Sequence, residues 1–219
     1  MREVQRKQAT PGFAGTSAKA VSDLTMWLGR AERVRTQKTK DKNKLYALHA
    51  PEVECLAKGK ARKPYEFGVK AAIVISHKAG LMLGARTFPG SPYDGHILSA
   101  AIEQATTLMQ DLPAKIKQIV VDLGFRGVDA DNPGMEIIHR GRIKSLSKQQ
   151  KTWLRRRQAV EPAIGHLKSD HRMDRCWLQG SVGDALHAVS CAAGFNLRWL
   201  MRAVTDLQAQ AAARMHVRA

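Results

Sequence analysis

Two acidic residues lie at positions from which a carboxylate could take part in chemistry. Asp122 ends the apolar run IKQIVVD, and Glu161 is the single acid in the cationic segment RRRQAVEPAIGHLK. Carboxylate oxygens are hard ligands, and Mg²⁺ is often held by one or two carboxylates together with substrate phosphates. Two such acids in a phosphate-binding cleft would suit metal-dependent phosphoryl transfer, in which a metal pair holds the attacking and leaving oxygens.

Asp122 is expected at the carboxyl end of a short strand. The run before it is almost wholly apolar, which favours a strand buried on both faces. Open α/β sheets bind their ligands at such strand ends, and the glycines of the following LGFRG let the chain turn away and leave the carboxylate exposed. The alternative is an aspartate that only starts a turn, which is common after a strand.

Glu161 is expected on a helix with a basic face. At about 100° per residue, Arg157, Glu161 and Lys168 share one side of a continuous helix. Residues 140–175 contain 11 Lys and Arg but only 3 acids, so the alternative is a solvated basic face with one neutralising acid. Pro162 disfavours helical geometry at Glu161, and we therefore expect a kink or a new helix start there.

The composition points to a polyanionic partner. The chain of 219 residues has a formal net charge of +17 and a pI of about 10.3. Nucleic acid is the usual match for such a surplus, although a ribosomal-type basic protein would share it. Aromatic residues make up 5% of the chain, too few for stacking single-stranded bases. Three widely spaced cysteines and the lack of a signal-type or membrane-spanning segment lead us to expect a cytoplasmic protein without membrane contact.

The N-terminal half is expected to begin with disorder and continue with a helix and a hairpin. Residues 1–20 are rich in small, polar and charged side chains, which favours disorder. Ser22 is a plausible N-cap for the helix that follows. Residues 65–88 read as a β-hairpin with HKAG as its turn. Asp94, in PYDGH, is either a residue that opens the next helix or a third carboxylate.

The C-terminal half is expected to alternate strands and helices. After the strand that ends at Asp122, MEIIHRG predicts another strand, and a capping box of Ser147 with Gln150 predicts a helix start. A last apolar helix is expected from Val182 to Val204, and Trp177 and Trp199 are expected in the core. The order of elements predicts an α/β sandwich with a mixed sheet.

Four long motifs resemble insertion-sequence transposases of the DDE class. They are KLYALHAPEVECLAKGKARKPYEFGVK, FPGSPYDGH, VVDLGFRG, and RRQAVEPAIGHLKSDHRMDRCWLQG with the GDALHAVSCAAGFNLRWL that follows. The resemblance covers roughly residues 40–204. It implies an RNase H-like fold with a mixed sheet flanked by helices, and metal-dependent cleavage and strand transfer at transposon ends.

The resemblance also implies roles for particular residues. Asp122 matches the family's second catalytic Asp and Glu161 its catalytic Glu, so both would bind Mg²⁺ or Mn²⁺. Arg157 and Lys168 fit the helical signature of the family, whereas its Tyr position is Leu154 here. The residues expected to contact double-stranded DNA, at transposon ends and target, are Arg126, Arg155, Arg156, Arg157 and Lys168.

No convincing first catalytic Asp precedes the hairpin. The upstream acids lie in helix-like, lysine-rich or loop-like contexts: Glu3, Asp23, Glu32, Asp41, Glu52 and Glu54. We therefore expect a truncated enzyme that lacks the first strand of its sheet and is inactive alone. The protein partner expected is a second copy, in a homodimer, or a complementing N-terminal chain. The alternative is a non-catalytic basic DNA-binding remnant. The expected organisation is a basic N-terminal segment (1–43), a partial catalytic domain (44–204) and a tail (205–219).

Overall fold

The protein divides into two compact units. The structure, a computed structural model, describes residues 3, 6, 7, 17–57, 61, 64–125 and 134–216. One unit spans Met1–Gly68 and the other Val69–Ala219.

The first unit contains one helix and one pair of strands. Its elements are α1 (Ala18–Thr36), β1 (Glu54–Ala57) and β2 (Tyr65–Gly68), and the two strands pair antiparallel. The prediction that Ser22 caps α1 is wrong, because Ser17 Oγ accepts the Ala20 N–H and the helix begins one turn earlier. Residues 18–20, predicted to be disordered, are therefore helical.

The second unit holds the hairpin, the strand that precedes Asp122 and all the later helices. Its elements are β3 (Lys70–Ile75), β4 (Met82–Phe88), α2 (Asp94–Leu108), β5 (Gln118–Val120), β6 (Glu136–Ile138), α3 (Lys148–Arg156), α4 (Val160–Ser169) and α5 (Gly180–His216). Short 3₁₀ turns lie at Leu123–Phe125, Arg140–Arg142 and Arg157–Ala159. The class is mixed α/β, as the sequence predicted.

The predicted hairpin is confirmed for β3 and β4. The two strands pair antiparallel, and Ser76 and Leu81 close the turn with a backbone hydrogen bond of 2.8 Å. Gly80 adopts φ +69° in this turn, a conformation that glycine reaches without steric cost. The first part of the predicted first strand forms a separate strand, β2. The strand is interrupted at Gly68 (φ 150°), and β2 pairs with β1.

Strand β5 pairs parallel with β6 and carries Asp122 just beyond its end. Val121 donates its N–H to the Ile138 carbonyl (2.9 Å), which extends the pairing to the residue before Asp122. The prediction of a strand buried on both faces is wrong, since Gln118 is exposed and the next two residues are half-buried. Among the described residues the strands pair two by two, so one continuous mixed sheet is not observed there.

Two hydrophobic clusters position the strands and helices. Leu98 and Ile102 of α2 pack with Val121 and Ile137 beside the β5–β6 pair. The second cluster joins the hairpin to α4 and α5 and consists of Met82, Ala85, Leu167, Ala188, Cys191 and Ala192. Leu167, which is fully buried, anchors α4 and so fixes the helix that carries Glu161.

The C-terminal helices match the sequence predictions in part. Ser147 and Gln150 form the predicted capping box at the start of α3. Helix α5 runs well beyond the predicted Val182–Val204, to His216. Trp177 and Trp199 are exposed rather than in the core, and Arg175 lies over the Trp177 ring at 4.2 Å. Trp177 precedes α5 and Trp199 lies in its middle, and neither side chain belongs to the two hydrophobic clusters.

Candidate functional site

Asp122 lies in a turn that exposes its carboxylate. The residues after it form the 3₁₀ turn Leu123–Phe125, and Asp122 Oδ1 accepts the Leu123 N–H at 2.9 Å. The side chain is 58% exposed, as expected for a carboxylate left free by a chain that turns away. Oδ2 points towards Arg157 and makes the most informative contact of the site.

Arg157 and Asp122 form an ion pair. Arg157 Nη2 lies 3.2 Å from Asp122 Oδ2, and the arginine side chain is only 26% exposed. The contact joins the end of β5 to the junction between α3 and α4, which are 35 residues apart in sequence. Of the residues predicted from sequence to form the site, these two are brought into direct contact.

Glu161 lies in the first turn of α4. The backbone stays right-handed helical from Arg156 through Val160 and tightens into the 3₁₀ turn Arg157–Ala159 before α4 begins. Of the two alternatives predicted here, a kink or a new helix start, the structure has a new helix start, at Val160. Pro162 therefore occupies the first turn, where a missing N–H leaves no helical hydrogen bond unmade. The positive end of the helix dipole also favours a carboxylate at Glu161, whose side chain is exposed.

Asp94 is a further acid close to the Asp122 turn. It is the first residue of α2, and its carboxylate approaches Gly124 so closely that a Cβ there would lie 2.5 Å from Asp94 Oδ2. Lys70 Nζ lies 2.8 Å from Asp94 Oδ1 and neutralises it. Only glycine at position 124 permits this approach. The sequence offered Asp94 as a helix-opening residue or a third carboxylate, and it does open α2.

The predicted DNA contacts have different surroundings. Arg156 Nη2 donates to the Lys78 carbonyl (2.8 Å) and ties the end of α3 to the hairpin turn. Arg155 is exposed and donates to Thr152 Oγ1 (3.2 Å). Lys168 is half-buried in the last turn of α4. Arg126 lies outside the described residues.

A charged cluster at the end of α4 was not predicted from the sequence. Asp170 accepts hydrogen bonds from Ser169 Oγ (2.7 Å) and Arg198 Nη1 (2.8 Å), and lies 3.1 Å from His166 Nδ1. The Ser169 hydroxyl, together with His166 and Arg198, lowers the pKa of Asp170 below its usual value. Beside it lies an open cavity of about 150 Å³, lined by His166, Asp170, His171, Phe195, Arg198, Trp199 and Arg202.

Asn196 is a second residue that the sequence did not single out. Its side-chain amide donates to the Met82 carbonyl and accepts the Met82 N–H, each at 2.8 Å. The pair of bonds satisfies both backbone groups of Met82, where the β3–β4 register shifts. The role of Asn196 could have been predicted from its place in the apolar run of α5. A polar side chain in such a run usually has a hydrogen-bond partner when it is buried.

The described residues do not form a complete metal-ligand set. Within residues that the structure describes, no three His, Cys, Asp or Glu side chains lie close enough together to hold a metal ion. Asp122 and Glu161 are nevertheless exposed oxygen donors of the type that Mg²⁺ takes, and Mg²⁺ can complete its shell with water and substrate phosphate. The residues present therefore fit a metal that binds together with DNA. No helix in the described part of the chain is long and apolar enough to cross a membrane.

Comparison with known proteins identifies one family. The model of the transposase DDE domain matches residues 31–197, about three quarters of the chain. A search of curated proteins and a search of solved structures found no match.

Proposed function

Since the chain belongs to the family of transposases with a DDE domain, we propose that it acts on transposon DNA through a divalent metal held by Asp122 and Glu161. The reaction would be cleavage at transposon ends followed by strand transfer, on an RNase H-like catalytic domain. DNA is the general partner that a transposase domain implies.

The Asp122–Arg157 ion pair is the observation that supports the pairing of the two acids. Arg157 and Glu161 are four residues apart on backbone that is helical throughout. Side chains at this spacing on an α-helix have Cβ atoms about 5–6 Å apart. From the contact between Arg157 and Asp122 we infer that the Glu161 turn lies in the same region as the Asp122 carboxylate.

The chain's own residues would position the DNA and the metal. Transposases of this class generally use divalent ions, and here Asp122 and Glu161 would hold Mg²⁺ or Mn²⁺. The ion would neutralise charge on the scissile phosphate and lower the pKa of the attacking oxygen. Arg157 neutralises Asp122, and we propose that it would contact a DNA phosphate when a metal is bound. Catalysis at such a site is mostly positioning and charge neutralisation.

The exposed basic residues before and along α3 support DNA as the substrate. Arg140, Arg142, Lys144 and Lys148 are exposed on the segment leading into α3, and Arg155 is exposed at its end. Cations of this kind contact phosphates without reading sequence. We propose that Arg155, Arg156, Lys168 and Arg126 hold the DNA backbone beside the metal.

Among the residues that the structure describes, no third carboxylate completes the proposed site. Asp94 lies beside the Asp122 turn, but Lys70 neutralises it. We propose that the isolated chain lacks strand-transfer activity and that a complementing N-terminal chain supplies the first Asp. Efficient end cleavage by the purified chain with Mg²⁺ or Mn²⁺ would contradict this part of the proposal.

The test uses DNA affinity measured by fluorescence anisotropy, with and without Mn²⁺, on a labelled double-stranded oligonucleotide. We expect Mn²⁺ to tighten binding by the wild type, and Asp122→Ala and Glu161→Ala to lose this increment while they keep metal-independent binding. Asp111→Ala, which removes an exposed acid at the end of α2, is the matched control. If both site variants respond to Mn²⁺ like the wild type, the proposed metal site is wrong. Only metal-independent DNA binding by the basic surface would then remain of the proposal.

A further inference from the structure

The open cavity at the end of α4 is built on one side of α5. It has a volume of about 150 Å³, and α5 contributes Phe195, Arg198, Trp199 and Arg202 to its lining. At about 100° per residue these four residues fall within an arc of about 100°. They therefore present aromatic rings and guanidinium groups to the same space. We call this space the α4–α5 cavity.

The α4–α5 cavity continues the core side of α5. Ala188, Cys191 and Ala192 lie on the same side of the helix as the lining residues and pack against Leu167 in the core. Helix α4 ends at Ser169, so the following turns of this side face the cavity instead of a packed helix. This position explains why Trp199, predicted in the core from its apolar run, is 41% exposed.

Aromatic side chains make one part of the lining suitable for a flat ring. Phe195 is half-buried and meets the His171 ring edge-on, with ring centroids 5.8 Å apart. Trp199 lies one helical turn further along α5. Aromatic side chains of this kind stack nucleobases, whatever their sequence. A cavity of about 150 Å³ holds a single six-membered ring, since an engineered apolar cavity of this volume binds benzene.

Asp170 and Arg198 place an acceptor and several donors side by side in the lining. Asp170 accepts from Ser169 and Arg198 and lies 3.1 Å from His166 Nδ1. A carboxylate has about four acceptor sites, so these contacts leave room for one more donor. The same neighbours lower the pKa of Asp170, which keeps it an ionised acceptor at neutral pH. Cytosine suits this pair, because its N4 amine donates to carboxylates and its ring nitrogen N3 can accept from a guanidinium.

The charges of the lining favour a ligand that also carries an anion. Two arginines, Arg198 and Arg202, stand against one carboxylate, Asp170. Pairing of Asp170 with Arg198 leaves the positive charge of Arg202, which is exposed and lies one helical turn further along. A guanidinium binds phosphate oxygens in a bidentate manner. A flat ring joined to a phosphate uses every part of the lining, whereas inorganic phosphate leaves the aromatic part unused.

We propose that the α4–α5 cavity binds a cytosine nucleotide, with its ring against Phe195 and Trp199, its amine on Asp170 and its phosphate on Arg202. Free cytidine phosphates and an unpaired cytosine in a DNA strand offer the same chemistry. The family match ends at residue 197, so Trp199 and Arg202 lie outside the matched residues. The cavity uses neither Asp122 nor Glu161, and binding should need no divalent ion.

The first test is isothermal titration calorimetry of the full chain in EDTA, with deoxycytidine 5′-phosphate (dCMP), deoxythymidine 5′-phosphate (dTMP) and inorganic phosphate. We expect saturable binding of dCMP with a Kd below about 1 mM, and binding of dTMP and phosphate that is about tenfold weaker. Trp199→Ala and Arg202→Gln should each weaken dCMP binding about tenfold. A wild type without saturable dCMP binding, or one that binds phosphate as tightly as dCMP, would overturn the proposal.

The matched control is Trp177→Ala. Arg175 lies over the Trp177 ring at 4.2 Å, so this exposed pair offers an arginine and a tryptophan away from the cavity. The control should bind dCMP like the wild type. Equal losses in Trp177→Ala and Trp199→Ala would show stacking on any exposed tryptophan and overturn the site. Circular dichroism checks the fold, and Arg202→Gln changes an exposed polar side chain, so the test holds even if Trp199→Ala unfolds.

The second test separates a free nucleotide from a DNA strand as the source. Fluorescence anisotropy in EDTA compares a labelled duplex that ends in one unpaired cytosine with the same duplex made blunt. Tighter binding of the overhang that is lost in Trp199→Ala and kept in Trp177→Ala assigns the cavity to a DNA strand. Equal binding of the two duplexes, with dCMP still bound, assigns it to a free nucleotide. Because no divalent ion is present, failure of this proposal is distinguishable from failure of the proposed metal site.

Discussion

Arg157 and Asp122 are joined by an ion pair of 3.2 Å between Nη2 and Oδ2. The pair links the turn after β5 to the helical junction that leads into Glu161. A guanidinium on one oxygen of Asp122 holds the carboxylate near α4. In the proposed metal site, Arg157 would compete with the metal ion for this carboxylate in the absence of DNA.

Removing this competitor should tighten metal binding. We expect Arg157→Gln to bind Mn²⁺ up to about fivefold more tightly than the wild type without DNA, because an exposed ion pair contributes at most about 1 kcal/mol. Isothermal titration calorimetry of the full chain measures the change. Arg155→Gln, whose guanidinium contacts Thr152, is the control and should leave the affinity unchanged. Weaker Mn²⁺ binding by Arg157→Gln would mean that the arginine supports the site rather than competing for it.

The close approach of Asp94 should make glycine necessary at position 124 for full stability of the fold. A Cβ at position 124 would lie 2.5 Å from Asp94 Oδ2, so Gly124→Ala must displace the carboxylate from Lys70 and should destabilise the fold by about 1 kcal/mol. The same substitution in an Asp94→Ala background should be close to neutral. Urea denaturation measures both free energies of unfolding.

The matched control for that prediction is Gly165→Ala. A Cβ at Gly165 in α4 meets nothing within 4 Å, and alanine should stabilise the helix by about 1 kcal/mol. A loss of stability at Gly124 that persists without the Asp94 carboxylate would show that some other neighbour excludes the methyl group.

Replacing Pro162 should change the stability of the protein very little, although a proline inside a helix is normally disruptive. It lies in the first turn of α4, so Pro162→Ala should change the free energy of unfolding by less than about 1 kcal/mol. Ala163→Pro, one residue later, removes a helical hydrogen bond and should cost about 3 kcal/mol or more. Chemical denaturation of both variants gives the comparison. Equal effects would place the start of α4 elsewhere.

The Asp170 cluster should make stability depend on acid pH. The Ser169 hydroxyl, His166 and Arg198 lower the pKa of Asp170 in the native state. Stability from the cluster is thus fully present above the unfolded pKa of about 3.9 and is lost as pH falls through the lower native value. We expect Asp170→Asn to melt below the wild type at neutral pH and the difference to shrink at low pH. Asp111→Asn, at an exposed acid, should show neither effect.

Sequence predicted best what depends on local pattern. The hairpin of β3 and β4 with its HKAG turn, the Ser147–Gln150 capping box and the helix start beside Pro162 are properties of short segments, and each is observed. The start of α1 was misplaced because Ser17 and Ser22 offer the same capping chemistry, and only the observed hydrogen bond distinguishes them.

Contacts between distant segments could not be predicted from the sequence. The approach of Asp94 to Gly124, the Asn196 bonds to Met82 and the Asp170–Arg198 contact join residues that no periodicity relates. The exposure of Trp177 and Trp199 was missed for a similar reason, because burial depends on which elements surround a side chain. An aromatic residue in an apolar run gives no information about those neighbours.

The position of a bound metal tests the central claim most directly. Crystals of the chain with double-stranded DNA and Mn²⁺ would locate the ion by its anomalous scattering. We expect a peak about 2.1 Å, the usual Mg²⁺–oxygen distance, from oxygens of both Asp122 and Glu161, with Arg157 turned to a DNA phosphate. An Asp122–Arg157 ion pair that persists beside bound DNA, with Mn²⁺ absent or held elsewhere, would contradict the shared metal site.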